Sequence, residues 1–272
     1  MKYFLCVIVC LVTMMSDTMP MQAQNSNYVL VFHDEFNQKN GTQPDSTKWV
    51  RCVRYTSAWN RWISNSKDVV YIKNGKLICK AIPNKTEPND TASMLTGAIE
   101  TRGKYDFQYG KVEVRMKTNT ARGNFPAFWM KPSKQDPNSY GEIDVMESFG
   151  DQGVAHQTIH NHLTNTLKRG RPFSARTKLR LNKWHVYGLE WTPDKLVFSI
   201  DGKVTKVFLK STDSQELADG QWTFDRSFYL LLNQSVGDAA INRWLTPDTT
   251  RIYVTQFDWV RVYQKVPKSL NQ

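Results

Sequence analysis

Apolar and polar residues alternate along most of this chain, and a two-residue period is incompatible with a helical fold. Lys111-Val112-Glu113-Val114-Arg115-Met116-Lys117 alternates without a fault, the pattern of a strand with one face packed and one face wet. Lys195 to Ile200 runs into Asp201-Gly202, and Lys203 to Phe208 follows. An Asp-Gly between two such runs is a hairpin signal, because both central positions of the tight turn need a left-handed backbone. Asn74-Gly75, between Tyr71-Ile72 and Lys76-Leu77-Ile78-Cys79, repeats the device. Arg251 to Gln264 alternates again and is expected to close a sheet. No amphipathic helix of ten or more residues is readable, and Asp213 to Ala218 supports one helical turn. Many short strands joined by turn residues, with 12% aromatics, predict an all-β sandwich of two antiparallel sheets packed face to face.

The first residues read as an export signal. Lys2 supplies the positive start, Phe4 to Met15 is a short apolar run, and Ala23 is a small residue suited to cleavage. That run is too short for a membrane-spanning helix, and no later one is longer. The expectation is a signal peptide over residues 1–23 and one domain over 24–272, exported to the periplasm, cell surface or exterior and monomeric. Cys10 is a poor lipid anchor with Val9 before it. Cys52 and Cys79 remain after cleavage, as one disulfide or as two small apolar side chains; the sequence leaves both open. The signal holds one Lys and one Asp, so the mature chain keeps the net charge of +11. Its basic residues are scattered, with visible clusters only at Lys168-Arg169-Gly170-Arg171 and Arg176 to Arg180. Without a binding motif in an exported protein, nucleic acid is not the partner.

Gly141-Glu142-Ile143-Asp144-Val145-Met146-Glu147 carries the chemistry. On a strand, Glu142 and Asp144 share a face while Ile143 and Val145 point into a core. Glu147 is out of phase by one residue, and a bulge near Val145 or Met146 returns it to the Glu142 face. Two glutamates then face one cleft, able to bring their carboxyl groups to the roughly 5–5.5 Å of a retaining glycosidase. A solvated polar face is the bland alternative, but three like charges on one face repel and need a reason.

Aromatics crowd the flanks: Phe125, Phe128 and Trp129 just before the carboxylates, Trp59-Asn60-Arg61-Trp62 upstream, and Trp191, Trp222 and Trp244 later. Flat rings stack on sugar faces while Asn and Arg bond hydroxyls, although about half of the tryptophans are expected to be core. His156, His160 and His162 share one face if their segment is a strand. That spacing does not suit zinc, and His160 is expected to line the sugar site.

With these residues in place, the chain resembles glycoside hydrolase family 16. Glu142, Asp144 and Glu147 match its Glu-x-Asp-x-x-Glu signature. Phe32 to Phe36, Gly97 to Arg102, Tyr109 to Glu113, Phe125 to Met130, Trp184 to Trp191 and Phe257 to Tyr263 match its other landmarks. The resemblance implies a concanavalin-like β-jelly roll with a concave cleft, and the laminarinase-like branch that carries the bulge. It implies Glu142 as nucleophile, Glu147 as general acid/base and Asp144 orienting Glu142. The residues expected to contact sugar are Asn60, Trp62, Arg102, Trp129, His160 and Gln234. No catalytic cofactor is implied, but a structural calcium at Glu35 and Asp258 is.

The expected function is a secreted retaining endo-β-glycanase on β-1,3- or mixed β-1,3/1,4-glucan. The second substrate is a galactose-containing polymer: algal galactan, host O-glycan or poly-N-acetyllactosamine. A non-catalytic sugar-binding sandwich is the alternative outside enzymes, but it has no use for two glutamates flanking an aspartate.

Overall fold

The structure is a computed structural model and describes residues 27–137, 139–237 and 246–266. The expected signal peptide, Asn138 and Trp244 lie outside those residues. Fifteen strands, numbered in chain order, form two antiparallel layers. In one layer β4 (Leu77–Pro83) is followed by β15 (Tyr253–Lys265), β6 (Gly110–Thr118), β11 (His185–Trp191), β12 (Lys195–Ile200) and β13 (Lys203–Leu209). β1 (Tyr28–Asp34) joins β15, and β3 (Val70–Ile72) joins β4. The other layer runs β10 (Phe173–Lys178), β9 (Val154–Asn161), β8 (Gly141–Glu147), β7 (Asn124–Pro132), β14 (Phe228–Val236) and β5 (Met94–Glu100), with β2 (Val50–Arg51) on β5. β4 and β5 pair at Ala81–Pro83 and link the layers. This is the sandwich expected from the alternation.

Local sequence explains these elements. β6 alternates buried and half-buried residues along its whole length, with Val112, Val114 and Met116 in the core. At the two predicted hairpins, Asn74-Gly75 and Asp201-Gly202 adopt positive φ at both positions, a backbone that Asn, Asp and Gly tolerate best. The helical turn is α1 (Ser214–Ala218), capped by Asp213, whose carboxylate accepts from the Gln215 and Glu216 amides. Phe128, Met130, Ile143, Leu230 and Leu232 meet Val112, Val114, Leu196, Phe198, Phe257 and Val260 between the layers. Each fully buried side chain of this kind stabilises by about 1.5–3 kcal/mol.

The two cysteines are unbonded. Cys79 sits in this core, Cys52 in a smaller cluster on the opposite face of the β5–β14–β7 sheet with Ala98, Trp129 and Leu231. Burial raises both thiols, Cys79 to about 12. Trp49, Trp191 and Trp222 are core residues. His162 does not continue the histidine face, because the strand ends at Asn161. A five-residue π-helical turn, His162–Thr166, then carries it against Gly220. No helix among the described residues is long and apolar enough to cross a membrane.

Candidate active site

The carboxylates lie on the outer face of the β10-to-β5 sheet because of one inserted residue. Trp129 pairs with Asp144, while the next residue back, Phe128, pairs with Met146; β9 shows the same jump between Asp144 and Glu147. Val145 is the extra residue. Ile143, Val145 and Met146 are all fully buried in the core, so the bulge absorbs two consecutive inward side chains and turns Glu147 outward. The expected bulge is thus present where the carboxylate spacing required it.

Glu142 and Glu147 line one cavity of about 630 Å³, with Trp59, Trp129, His156 and His160 among its walls. Glu142 is held from several sides. The Tyr140 hydroxyl donates to Oε2 at 2.8 Å, and Lys131 Nζ stands 3.6 Å from the same oxygen. His160 Nε2 lies 3.1 Å from Asp144 Oδ2 and 4.0 Å from Glu142 Oε1, and its Nδ1 meets Asn165 Oδ1 at 3.1 Å. Donor atoms of Glu142, Asp144 and His160 all fall within 4.8 Å of one another.

Electrostatics separates the two glutamates. Burial and then the charges of Asp144 and Glu142 push the Glu147 carboxyl well above its ordinary value, and among the described residues no cation opposes them. Burial and Asp144 also raise Glu142, but Lys131, His160 and the Tyr140 hydroxyl pull it back. Burial alone would lower His160; the carboxylates of Asp144 and Glu142 overcome it and raise the imidazole to about 9, so it is cationic at neutral pH. Glu147 therefore keeps its proton where Glu142 has lost its own. This is the split that a nucleophile and a general acid need.

The expected sugar-contacting residues divide. Trp129 and His160 line the cavity. Trp129 donates its indole N–H to Asn233 at 2.8 Å, and Trp59 packs edge-on against it at 4.9 Å. Gln234 is a correction: it points between the layers, donating to Asn124 at 2.8 Å and accepting from Thr255. Its neighbour Asn233 faces the cleft. β14 is buried on both faces, so no alternation showed which parity was which. Asn60 is buried away from the cavity lining, and Trp62 packs beside Ala81, Met94 and Tyr253. Arg102 stands outside the cavity too, donating to Tyr229 at 2.6 Å and paired with Glu100.

Several cleft residues were not anticipated. Tyr140, two before Glu142, was legible from strand period alone. Lys131 follows likewise from Trp129. Asn165 was not legible, because a π-helical turn is what aims it at His160.

The expected calcium ligands are engaged otherwise. Arg261 binds Glu35 through two hydrogen bonds of 2.9 Å, and this holds the Glu35 carboxyl below its usual range. Asp258 pairs with Arg115 and with Lys76 at 3.2 Å. Both carboxylates are thus paired with cationic side chains.

The strand parity yields a paired test. Gln234→Ala is expected to destabilise by about 1–3 kcal/mol, through the buried partners it strands, with KM little changed. Asn233→Ala is expected to raise KM through the freed Trp129 ring, at smaller cost in stability. Thermal melts and steady-state kinetics on both variants check this, and a KM effect confined to Gln234→Ala would reverse the parity.

Comparison with known proteins agrees with this geometry. The family model described as glycosyl hydrolases family 16 matches residues 56–233. A keratan-sulfate endo-1,4-β-galactosidase from Sphingobacterium multivorum is 31% identical over 88% of this chain, which spans 56% of that protein's length. A β-glucanase from Rhodothermus marinus is 30% identical over 88% of this chain and 86% of its own. Among solved structures, the non-specific endo-β-1,3(4)-glucanase SCLam superposes with a TM-score of 0.77 at 29% identity, covering 89% of this chain and 92% of that one. With its bulged carboxylate strand and jelly-roll sheets, this chain belongs to glycoside hydrolase family 16.

Proposed function

We propose that the protein is an exported, retaining endo-β-glycanase acting on β-1,3- or mixed β-1,3/1,4-glucan. The observation that carries the chemistry is the unequal environment of two glutamates on one cleft face. Glu142 attacks the anomeric carbon as the glycosidic C–O bond breaks, and Glu147 gives its proton to the departing oxygen. Glu142 is then a neutral ester and Glu147 a carboxylate. Glu147 next takes a proton from water, whose oxygen displaces Glu142. Asp144 and His160 hold Glu142 in place, and Trp59 and Trp129 offer faces to sugar rings. The β-glucan substrate is supported by the β-glucanase relative and the SCLam fold. Residues 1–23 are proposed as the signal peptide and 24–272 as a single domain, with the glycan chain as partner.

A second reading, cleavage of a β-galactoside-containing chain, is favoured by the similarity to the keratan-sulfate enzyme. Product analysis on laminarin, mixed-linkage glucan, agarose and a mucin O-glycan preparation decides between them. Oligomers from either glucan support the first reading. Cleavage confined to galactose-containing chains replaces it with the second, and binding without cleavage of any would sink both.

The pH profile carries its own test. The acidic limb of kcat/KM is expected to follow ionisation of Glu142, and the alkaline limb deprotonation of Glu147. Asp144 raises the Glu147 pKa, so removing its charge lets Glu147 lose its proton sooner. Asp144→Asn should therefore move the alkaline limb to lower pH. A shift upward would contradict the assignment of Glu147.

A further inference from the structure

The second basic cluster of the sequence, Arg176 to Arg180, begins on the edge strand at one end of the cleft. On β10, Phe173 packs on the core and Ala175 is buried, so the two-residue period leaves Ser174, Arg176 and Lys178 on the cleft face. Ser174 does line the cavity. Register extends the row: Glu147 is opposite His156, and His156 is opposite Arg176. Directly opposed residues share a face, so three strands place these side chains in line. Arg176 stands two strands from Glu147, roughly 10 Å at normal strand spacing. Burial and then the Arg176 charge hold the His156 imidazole below its ordinary value, consistent with that placement.

Arg176 and Lys178 are exposed and, among the described residues, neither pairs with a carboxylate. Lys131, which lines the cavity, is by contrast engaged by Glu142. Charge on an edge strand also deters edge-to-edge association, which is the plainer account of these two residues. That account does not require a place in the row of the general acid.

We propose that Arg176, with Lys178 beside it, forms an anion-recognising subsite at the end of the cleft, for a β-glycan bearing acidic substituents near the bond cleaved. A guanidinium binds a sulfate ester or a carboxylate through paired hydrogen bonds, and both sources share that chemistry. The inference rests on the endo-β-glycanase reading and narrows its substrate class.

The test uses binding by the full chain carrying Glu142→Gln, so that it does not depend on turnover. Three probes share one backbone: laminarin, sulfated laminarin and carboxymethylated laminarin. At low salt, the dissociation constant for at least one acidic form is expected to be about threefold or more below that of laminarin, as one partly exposed charge pair provides. The gap should close at high salt. Adding Arg176→Gln should abolish it, adding Arg176→Lys should retain part, and adding Lys203→Gln, an exposed charge of the other sheet, should leave it intact. The two acidic arms distinguish sulfate from carboxylate. Equal binding of all three probes, or a preference that survives Arg176→Gln, would show a charge that only guards the edge and overturn the proposal. Wild-type silence on every glycan would instead defeat the hydrolase reading, with the binding ratios still deciding this one.

Discussion

Glu142→Gln is expected to abolish turnover, by a factor on the order of 10⁴ or more, as removal of the attacking group does in other covalent enzymes. Amide nitrogen and oxygen preserve the shape and the Tyr140 contact, but the amide does not form the glycosyl ester. The direct check is intact mass after reaction with a slow-turnover fluorinated glycoside. Wild type should gain one glycosyl unit located at residue 142, and the variant none. Stability should move the other way. Burial and Asp144 raise the Glu142 pKa, so its folded-state contribution is present at low pH and lost as pH rises through the raised value. Above that value the ionised carboxylate is a cost, and glutamine removes it. The variant should therefore melt at or above the wild-type temperature, and a variant that is both inactive and clearly less stable would point to a structural role instead.

Glu147→Gln should lower kcat on a polysaccharide by about 10²–10⁴, the contribution typical of general acid–base catalysis. The loss should depend on the leaving group. A sugar hydroxyl needs a proton as the C–O bond breaks, whereas a nitrophenolate departs without one. On an activated aryl glycoside the first step is thus expected to survive far better than on polymer, with glycosyl-enzyme accumulating because the base for water is also gone. The alkaline limb of the pH profile should vanish with the carboxyl that sets it. An equal loss on both substrates would assign Glu147 a role other than proton transfer.

Much of the site was readable from residue order. The Glu142–Asp144 phase is simple strand period, and the mismatch at Glu147 required a bulge, which Val145 supplies. His160 followed from the same period on the next strand. The errors came where period carries no information. In β14 every residue is buried, so nothing distinguished Gln234, between the layers, from Asn233, over the cleft. Asn60 and Trp62 sit in a loop, where side-chain direction depends on what the loop covers. Glu35 and Asp258 were named as calcium ligands from the family resemblance; their pairing with Arg261 and Arg115, distant in sequence, was not readable from it.

Alternation and turn chemistry were enough to determine an all-β sandwich and its hairpins, and the three carboxylates to mark the candidate reacting pair. These depend on neighbours within a few residues, where backbone geometry links sequence directly to direction. Tertiary structure alone decided what surrounds the pair: Lys131 and His160 stabilising the charge of Glu142, Asn165 presented by a π-helical turn, and Arg176 aligned with Glu147 across three strands. Those relations depend on which strands pair and in which register. Long-range burial sets that pairing, and no single stretch of the chain encodes it.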